Sequence, residues 1–593
     1  MNEYSLAKVQ YFNNMSKLNI DQKTIKELFQ DSKADFLIPD YQRPYAWGED
    51  ECQTLWDDIF SFAIPNDDAT QFNDSADEYF LGPIVTYINN NRQEIIDGQQ
   101  RLTTLMLLLR AFYDRFENMK DKNSIVIREN IEKCIWKTDI FGTPNKLELK
   151  IDSEVATDND KTEFLTILKT GIVGEKHKSR YAQNYKFFQN QISEFLTKYP
   201  SFCAHLPARI LNNCILLPIE AESQDTALRI FSTLNDRGLP LSDSDIFKAQ
   251  FYKYYSEKNE KDDFIKRWKD LEELCAKIFH PISGSPMDEI FTRYMYYVRA
   301  TKGITSSTTE ALRKFYEKEK YTLLKRDDTL KNIEDLADFW NDVSNQDADK
   351  FSETILKKLF VLNYAPNSMW TYFVSVYFMT KKDTKNMLDE KEFGAFLDRI
   401  TAFIWAYSVF KPGVNSLRTP VYAEMVNLVE GRNVDFENFK FDEEHIKSMF
   451  HNYGFYNARP ITKSMLAWWA YNNPNQELMK IETSYDIEHI FARNRVSHDT
   501  LQNKRSLDLL GNKAMLEKRI NIRASDYKFE DKKKYYKGYT NARNQEKEGT
   551  QIVELLQLAD EKNDFTEQDI ITRDNSIIDG FVEFLKTNGL IQA

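Results

Sequence analysis

No stretch of this 593-residue sequence is apolar for long enough to span a bilayer. The opening residues, MNEYSLAKVQ, hold no apolar segment of the kind a secretory signal needs. A soluble, cytoplasmic protein with no membrane partner is the expectation. Cysteine is scarce: Cys52, Cys134, Cys203, Cys214 and Cys275 are odd in number, widely scattered and include no C-x-x-C pair. That spacing argues against a disulfide framework or a cysteine zinc site and favours buried, reduced thiols. No G-x-x-x-x-G-K-[ST] loop occurs, which removes the P-loop route to nucleotide binding. Internal repeats and low-complexity linkers are also missing. Histidine is rare, with 7 in the whole chain, so the surroundings of each one carry information.

What is present is ample for folding. Hydrophobic residues make up 42% of the chain and aromatics 14%, and the length calls for more than one core. Short β-like runs at DFLIP, YFLGPIVTYI, RQEIID and NNCILLPIE alternate with helical stretches such as QRLTTLMLLLRAFYDRF and DSDIFKAQFYKYY in the first 255 residues. From about 256 to 430 the strand signal nearly vanishes and helical periodicity takes over. After about 430 helices mix again with short strands. The expected fold is helix-rich, multidomain α+β, divided as 1–255, 256–430 and 431–593.

Net charge is −13, which taken alone argues against a nucleic-acid partner. Its distribution points the other way. Residues 491–545 hold 14 Lys/Arg against 6 Asp/Glu, a local net of +8 that leaves −21 to the remainder. A solvated basic helix would give the same count. At the edge of this basic segment stands YDIEHIFARNRV (485–496), a strand-like run in which Glu488 and His489 are adjacent and point to opposite faces. SLDLLGNKAMLEKRIN follows, supplying a second short strand around the turn pair Gly511-Asn512. NIRASDYKFEDKKKYY then reads as a helix beginning near Asn521. Strand, loop, strand and helix, with Glu-His, Asn and Asn at those stations, is the pattern of a ββα-metal nuclease finger.

The residue types suit phosphodiester hydrolysis. A neutral imidazole can deprotonate water near pH 7. Oxygen ligands from Glu and Asn suit Mg²⁺ or Mn²⁺, a second Asn can orient the imidazole, and Lys and Arg nearby can hold the DNA backbone. Candidates for that last part are Arg493, Arg495, Lys513 and Lys532. The bland alternative is a satisfied structural histidine on a strand. His498, in a polar loop, reads as ordinary surface.

A second cluster is EIIDGQQRLTTLMLLLRA (94–111), where an apolar strand meets Asp97-Gly98-Gln99-Gln100-Arg101 and a long apolar helix follows at once. Glycine permits a tight turn there, the helix start offers free N–H groups to an anion, and Arg101 adds a guanidinium. A plain structural turn fits equally well. IPDYQRPYAWGEDECQTLWDDI (38–59) places Tyr41, Gln42 and Arg43 on an extended, Pro-bounded stretch that could stack a base and grip phosphates, or serve as core at a domain edge. In FSTLNDRGLPLSDSDIFKAQ (231–250), Ser242 and Asp245 fit a capping box, which leaves Asn235 and Arg237 unexplained.

With these motifs in order, the sequence resembles the GmrSD-type modification-dependent restriction enzymes at both ends. Residues 484–536, through E-H-I-F, L-G-N-K-A-M-L and N-I-R-A-S-D-Y-K-F-E-D-K-K-K-Y-Y, resemble their His-Asn-His (HNH) endonuclease domain. The resemblance implies His489 as general base, Asn512 as orienting residue, and Glu488 with Asn521 as metal ligands; Asp486, on the same strand face as Glu488, could share the metal. Phe491-Ala492-Arg493 stands where such proteins commonly carry a proline. IPDYQRPYAW, LGPIV, DGQQRLTTL and FSTLNDRG resemble the ParB/sulfiredoxin-like N-terminal domain of the same enzymes, which binds and hydrolyses nucleoside triphosphates. The implied whole is an NTP-regulated endonuclease for double-stranded, modified foreign DNA, using Mg²⁺ or Mn²⁺ and GTP, ATP or UTP, with a homodimer easing cleavage of both strands. The alternatives are an NTP-sensing abortive-infection nuclease acting on RNA or host DNA, and a non-catalytic nucleic-acid-binding module.

Overall fold

The computed structural model describes residues 19–20, 22–65, 77–155, 158–174, 178–224, 226–228, 230, 242–281, 284–413, 415–497 and 501–592. The chain divides into two compact units, 1–269 and 270–593.

The first unit is built on one mixed sheet of seven strands: β1 (Asn19–Ile20), β2 (Lys23–Thr24), β3 (Phe36–Ile38), β4 (Tyr79–Asn89), β5 (Arg92–Asp97), β6 (Ile151–Ser153) and β7 (Cys214–Ala221). The order is β1-β7-β4-β5-β3-β6, with β2 also paired to β7. β4 runs parallel to β7 and antiparallel to β5, while β5, β3 and β6 are mutually parallel neighbours. Asn90 and Asn91, both at positive φ (49° and 64°), make the two-residue turn between β4 and β5, a conformation asparagine tolerates and the strand twist favours. Behind the sheet lies α1 (Gln99–Phe116), whose residues Leu102, Leu105, Met106, Leu107, Leu108 and Leu109 are all fully buried. A helix apolar on every side needs cover on every side, and α2 (Arg180–Lys198) packs along it.

In the second unit, helices run unbroken by strands from 286 to 471 among the described residues. Central to it is α3 (Glu390–Phe410), with Trp405 donating from Nε1 to Ser464 Oγ at 3.1 Å. α4 (Arg418–Val429) follows. The basic segment then forms a hairpin of β8 (Tyr485–His489) and β9 (Lys513–Glu517), antiparallel, pairing Glu488 with Ala514 and His489 with Lys513. Leu510–Asn512 form a short 3-10 turn before β9, so the Gly-Asn pair precedes the second strand and does not lie inside it as the sequence suggests. The single helix expected from Asn521 is two, α5 (Lys518–Ala524) and α6 (Phe529–Lys537), because Ser525 adopts a φ of 43° and ends the first. Asn521 thus lies within α5.

The last helix, α7 (Glu567–Thr587), seats Phe581 among Trp405, Phe450 and Trp468, with ring centroids 5.6, 4.7 and 6.1 Å away. Phe581 is fully buried. Phe581→Ala should therefore cost about 3–5 kcal/mol and lower the thermal unfolding midpoint, while Asp579→Ala on the exposed side should leave it nearly unchanged; equal midpoints for the two variants would contradict this packing.

Candidate active site

Strand alternation separates Glu488 and His489, as expected. Glu488 is 3% exposed, and its Oε1 accepts from Lys532 Nζ at 2.7 Å and Tyr536 OH at 2.5 Å, both from α6. Lys532 Nζ also donates to the His489 carbonyl at 2.6 Å, tying α6 to the end of β8. Burial raises the Glu488 carboxyl, and Lys532 and Tyr536 oppose that rise. This arrangement corrects two expectations. Lys532 is 1% exposed and paired inside, so it is a structural cation and not a DNA contact. Glu488 already serves an internal ammonium and a phenol, so it does not present itself as a metal ligand. Among the described residues no three His, Cys, Asp or Glu side chains gather where they could hold a cation, and the charge of Asp486 offsets part of the fall that burial imposes on the Lys463 amine. The residues as placed do not fit the Mg²⁺ or Mn²⁺ site implied by the resemblance.

His489 occupies the other face. Its Nε2 is buried and has no hydrogen-bond partner among the described residues. Burial, with the positive charges of Lys513, Arg493 and Lys532, pushes the imidazole down to about 3, so it is neutral at physiological pH. Lys513 is fully buried; its Nζ donates to the Phe455 carbonyl and lies 3.7 Å from Asp508. Burial brings that amine down to about 8. Arg495 forms a two-pronged pair with Asp564, 2.5 Å at each prong, and its guanidinium sits over the Phe491 ring. Of the four basic residues expected on DNA, Arg493 alone keeps a largely exposed side chain, 58%, with Asp508 3.9 Å away.

Asn512 is also placed differently from its expected role. Its Oδ1 accepts from Phe491 N–H at 2.7 Å, and its Nδ2 donates to the carbonyls of Phe491 and Leu507 at 3.2 and 3.1 Å. The amide fixes the backbone leaving His489 and does not bond to the imidazole. It also supplies the constraint at the segment where the commonly found proline is replaced by Phe491-Ala492-Arg493.

That turn is in turn held by α7, through residues that no motif in the sequence marks. Arg573 Nη1 donates to the carbonyls of Leu510, Gly511 and Lys513 at 2.9, 3.0 and 2.7 Å. Its Nε and Nη2 grip Glu554 at 2.7 and 2.8 Å. Asp574 Oδ1 accepts from Gly511 N–H at 3.1 Å. The approach is so close that a Cβ on Gly511 would lie 2.0 Å from the Ile570 carbonyl. A weaker signal did exist: Arg573 and Asp574 fall three and four residues after Ile570, on the helix face shared with Ile577, where a solvated pair has no place.

In the first unit, Gly98 caps α1 at φ 91° and Asp97 Oδ1 accepts from its N–H at 2.7 Å. The glutamines expected to contact nucleotide are buried and bonded to backbone. Gln100 accepts from Ala46 and Trp47 N–H and donates to Pro44 O, Gln99 donates to Arg43 O, and Gln42 donates to the carbonyls of Ile95 and Ile96. They fasten the 39–47 loop to the strand-helix turn. The charged residues are less committed. Arg101 Nη1 donates to Pro83 O at 2.8 Å, and its guanidinium crosses Gly82 where a Cβ would be 2.9 Å away. Arg43 Nε is buried without a partner among the described residues. Burial raises the Asp97 carboxyl, with the Gly98 N–H, Arg101 and Arg43 opposing. Tyr41 is buried against Tyr252, centroids 5.1 Å apart, on the wall of a cavity of about 570 Å³ that Glu94 and Lys261 also line. Asn235 and Arg237 lie outside the described residues.

Residues 25–252 match the family model for the GmrSD restriction endonuclease N-terminal domain, and residues 437–579 match that for the GmrSD restriction endonuclease C-terminal domain. The chain therefore belongs to the GmrSD restriction endonucleases, whose substrate is DNA. No curated protein matches it. Among the described residues no helix is long and apolar enough to cross a membrane.

Two measurements check this geometry. Arg573→Lys keeps a charge but has three N–H donors in place of five and cannot serve three carbonyls and both oxygens of Glu554 together, so DNA cleavage should fall by about 100-fold, the scale of a small misplacement, with DNA affinity unchanged; unaltered cleavage would remove the turn's dependence on α7. His489 has a folded-state value near 3 against 6.5 unfolded, so the unfolded chain binds more protons between those limits. Its contribution to stability is complete above pH 6.5 and is lost as pH falls toward 3. His489→Asn should flatten that part of the stability-pH curve, read by urea unfolding from pH 4 to 7.

Proposed function

We propose that this chain is a DNA endonuclease in which His489 deprotonates the attacking water, and in which NTP bound at the Asp97–Arg101 turn governs cleavage. The observation that carries the first part is the buried Nε2 of His489, without a partner and neutral, beside Lys513 and Arg493. An isolated imidazole near 3 is too weak a base for neutral pH. Three of the causes of its low value are the positive charges of Lys513, Arg493 and Lys532, however, and an arriving phosphodiester counters them. Substrate binding would then raise the imidazole toward its ordinary range and strengthen the base when DNA is in place. Phe491 and Asn512 hold the exit from the strand, and α7 holds Asn512. In this reading Asn512 is a positioning residue of the loop, and Arg493 is the side chain best exposed to meet DNA. The HNH assignment rests on this histidine with the hairpin around it.

For the nucleotide, the support is the pair Arg43 and Arg101 beside Asp97, with Gly82 and Gly98 letting backbone and guanidinium approach closely. Two guanidiniums flanking a helix start suit the phosphates of an NTP. The three glutamines position the loop that carries Arg43.

Cleavage of supercoiled plasmid and of modified phage DNA, with Mg²⁺, Mn²⁺ or EDTA and with or without GTP, ATP or UTP, tests both parts. His489→Ala should reduce cleavage at least 1,000-fold, on the order expected for losing a general base, while retaining DNA binding. Arg101→Ala should abolish the NTP effect and keep basal cleavage. Binding without cutting by the wild-type chain on every substrate would replace the endonuclease with the binding-module reading, and activity on RNA alone would replace DNA as the substrate.

A further inference from the structure

Between the residues matched by the two family models lies the helical stretch of the second unit, and it holds a cavity of about 450 Å³. Its walls come from the 307–309 loop, the end of α3 with the turn after it, and the first residues of α4. Thr308, Thr309, Ser416 and Thr419 line it together with Lys411 and Arg418; the Ser416 hydroxyl donates to the Lys411 and Gly413 carbonyls and that of Thr309 is bonded to Tyr422 OH. The lining contains no carboxylate, in a chain of net charge −13. Lys411 is exposed and Arg418 partly buried, and among the described residues neither forms an ion pair. Elsewhere in this unit, cations of similar exposure do find acids: Lys358 with Asp398, Lys447 with Asp579, Lys586 with Glu443. The first turn of α4 has no side-chain cap, and two of the wall residues belong to it. Two unneutralised cations among hydroxyls, with Tyr407 at one side, make a concave surface suited to a phosphate and not to a metal or an acidic-site ligand.

We propose that this cavity binds a phosphate of the DNA backbone, as a grip apart from the His489 hairpin. The inference rests on the endonuclease reading for its ligand, since free nucleotide would offer the same chemistry. Phosphate contacts of this kind carry position and salt dependence without reading sequence.

The test is the binding of a fluorescent DNA duplex, and separately of fluorescent NTP, to the full chain and to Lys411→Gln/Arg418→Gln. DNA affinity of the double variant should fall about 10-fold near physiological salt. The slope of log K against log salt should shrink by about 0.9, the change for one phosphate no longer neutralised. NTP binding should not change. The single variant Lys411→Gln, at an exposed position, should show about half the slope change, and serves should the double variant fold poorly. Unchanged DNA affinity and slope with normal binding by wild type would overturn the cavity's role alone. A loss confined to NTP would overturn DNA as its ligand. Wild type that binds no DNA would remove the endonuclease reading beneath both.

Discussion

One guanidinium organises the hairpin that carries His489. Arg573 bonds to three backbone carbonyls around Gly511 and is itself held by Glu554, which also accepts from Trp469. Two of those carbonyls belong to the Leu510–Asn512 turn and the third to Lys513, the first residue of β9, and burying them unbonded would be costly. The turn carries Asn512, whose side-chain amide in turn holds the backbone N–H and carbonyl of Phe491, two residues after His489. Removing Arg573 would also strand Glu554 inside, a penalty of about 3–5 kcal/mol for a broken buried pair. The imidazole is thus oriented through backbone, three links away from the residue that begins the chain of contacts.

Burial then decides what each charged residue does. The sequence of 491–545 reads as a stretch that could hold DNA, and by count it is basic. Yet Lys513 and Lys532 are inside, and Arg495 is committed to Asp564, so the positive field around His489 comes partly from cations that cannot touch solvent. Their effect is electrostatic: they hold the histidine neutral and make its surroundings receptive to an anion. In the first unit the division is similar. Polar residues of the DGQQR and YQR segments split into glutamines that satisfy backbone and arginines whose donors are incompletely used.

The strands were legible because alternation and β-branched residues marked them: β5 coincides with RQEIID, and β8 with the run before His489. α1 was legible from its apolar periodicity and the glycine before it. The break at Ser525 was not, since a serine at φ 43° follows from tertiary packing and not from local preference. Nor could the fate of Glu488 be read. Its partners Lys532 and Tyr536 lie more than forty residues away, on a helix whose apolar face is too short to announce which charged side chains turn inward. The same holds for Arg573 and Gly511: a close backbone approach leaves only a glycine and an out-of-place ion as its trace.

The position of α7 has a consequence for how the protein comes into being. The strand, the histidine and the asparagine are all in the chain by residue 512, but the groups that fix their turn are Arg573 and Asp574. During synthesis a ribosome-bound chain carries the complete set of hairpin residues for some sixty codons before those two exist. The hairpin can be held in its final geometry only once α7 has been made and packed, so its turn is fixed well after its own residues are in the chain.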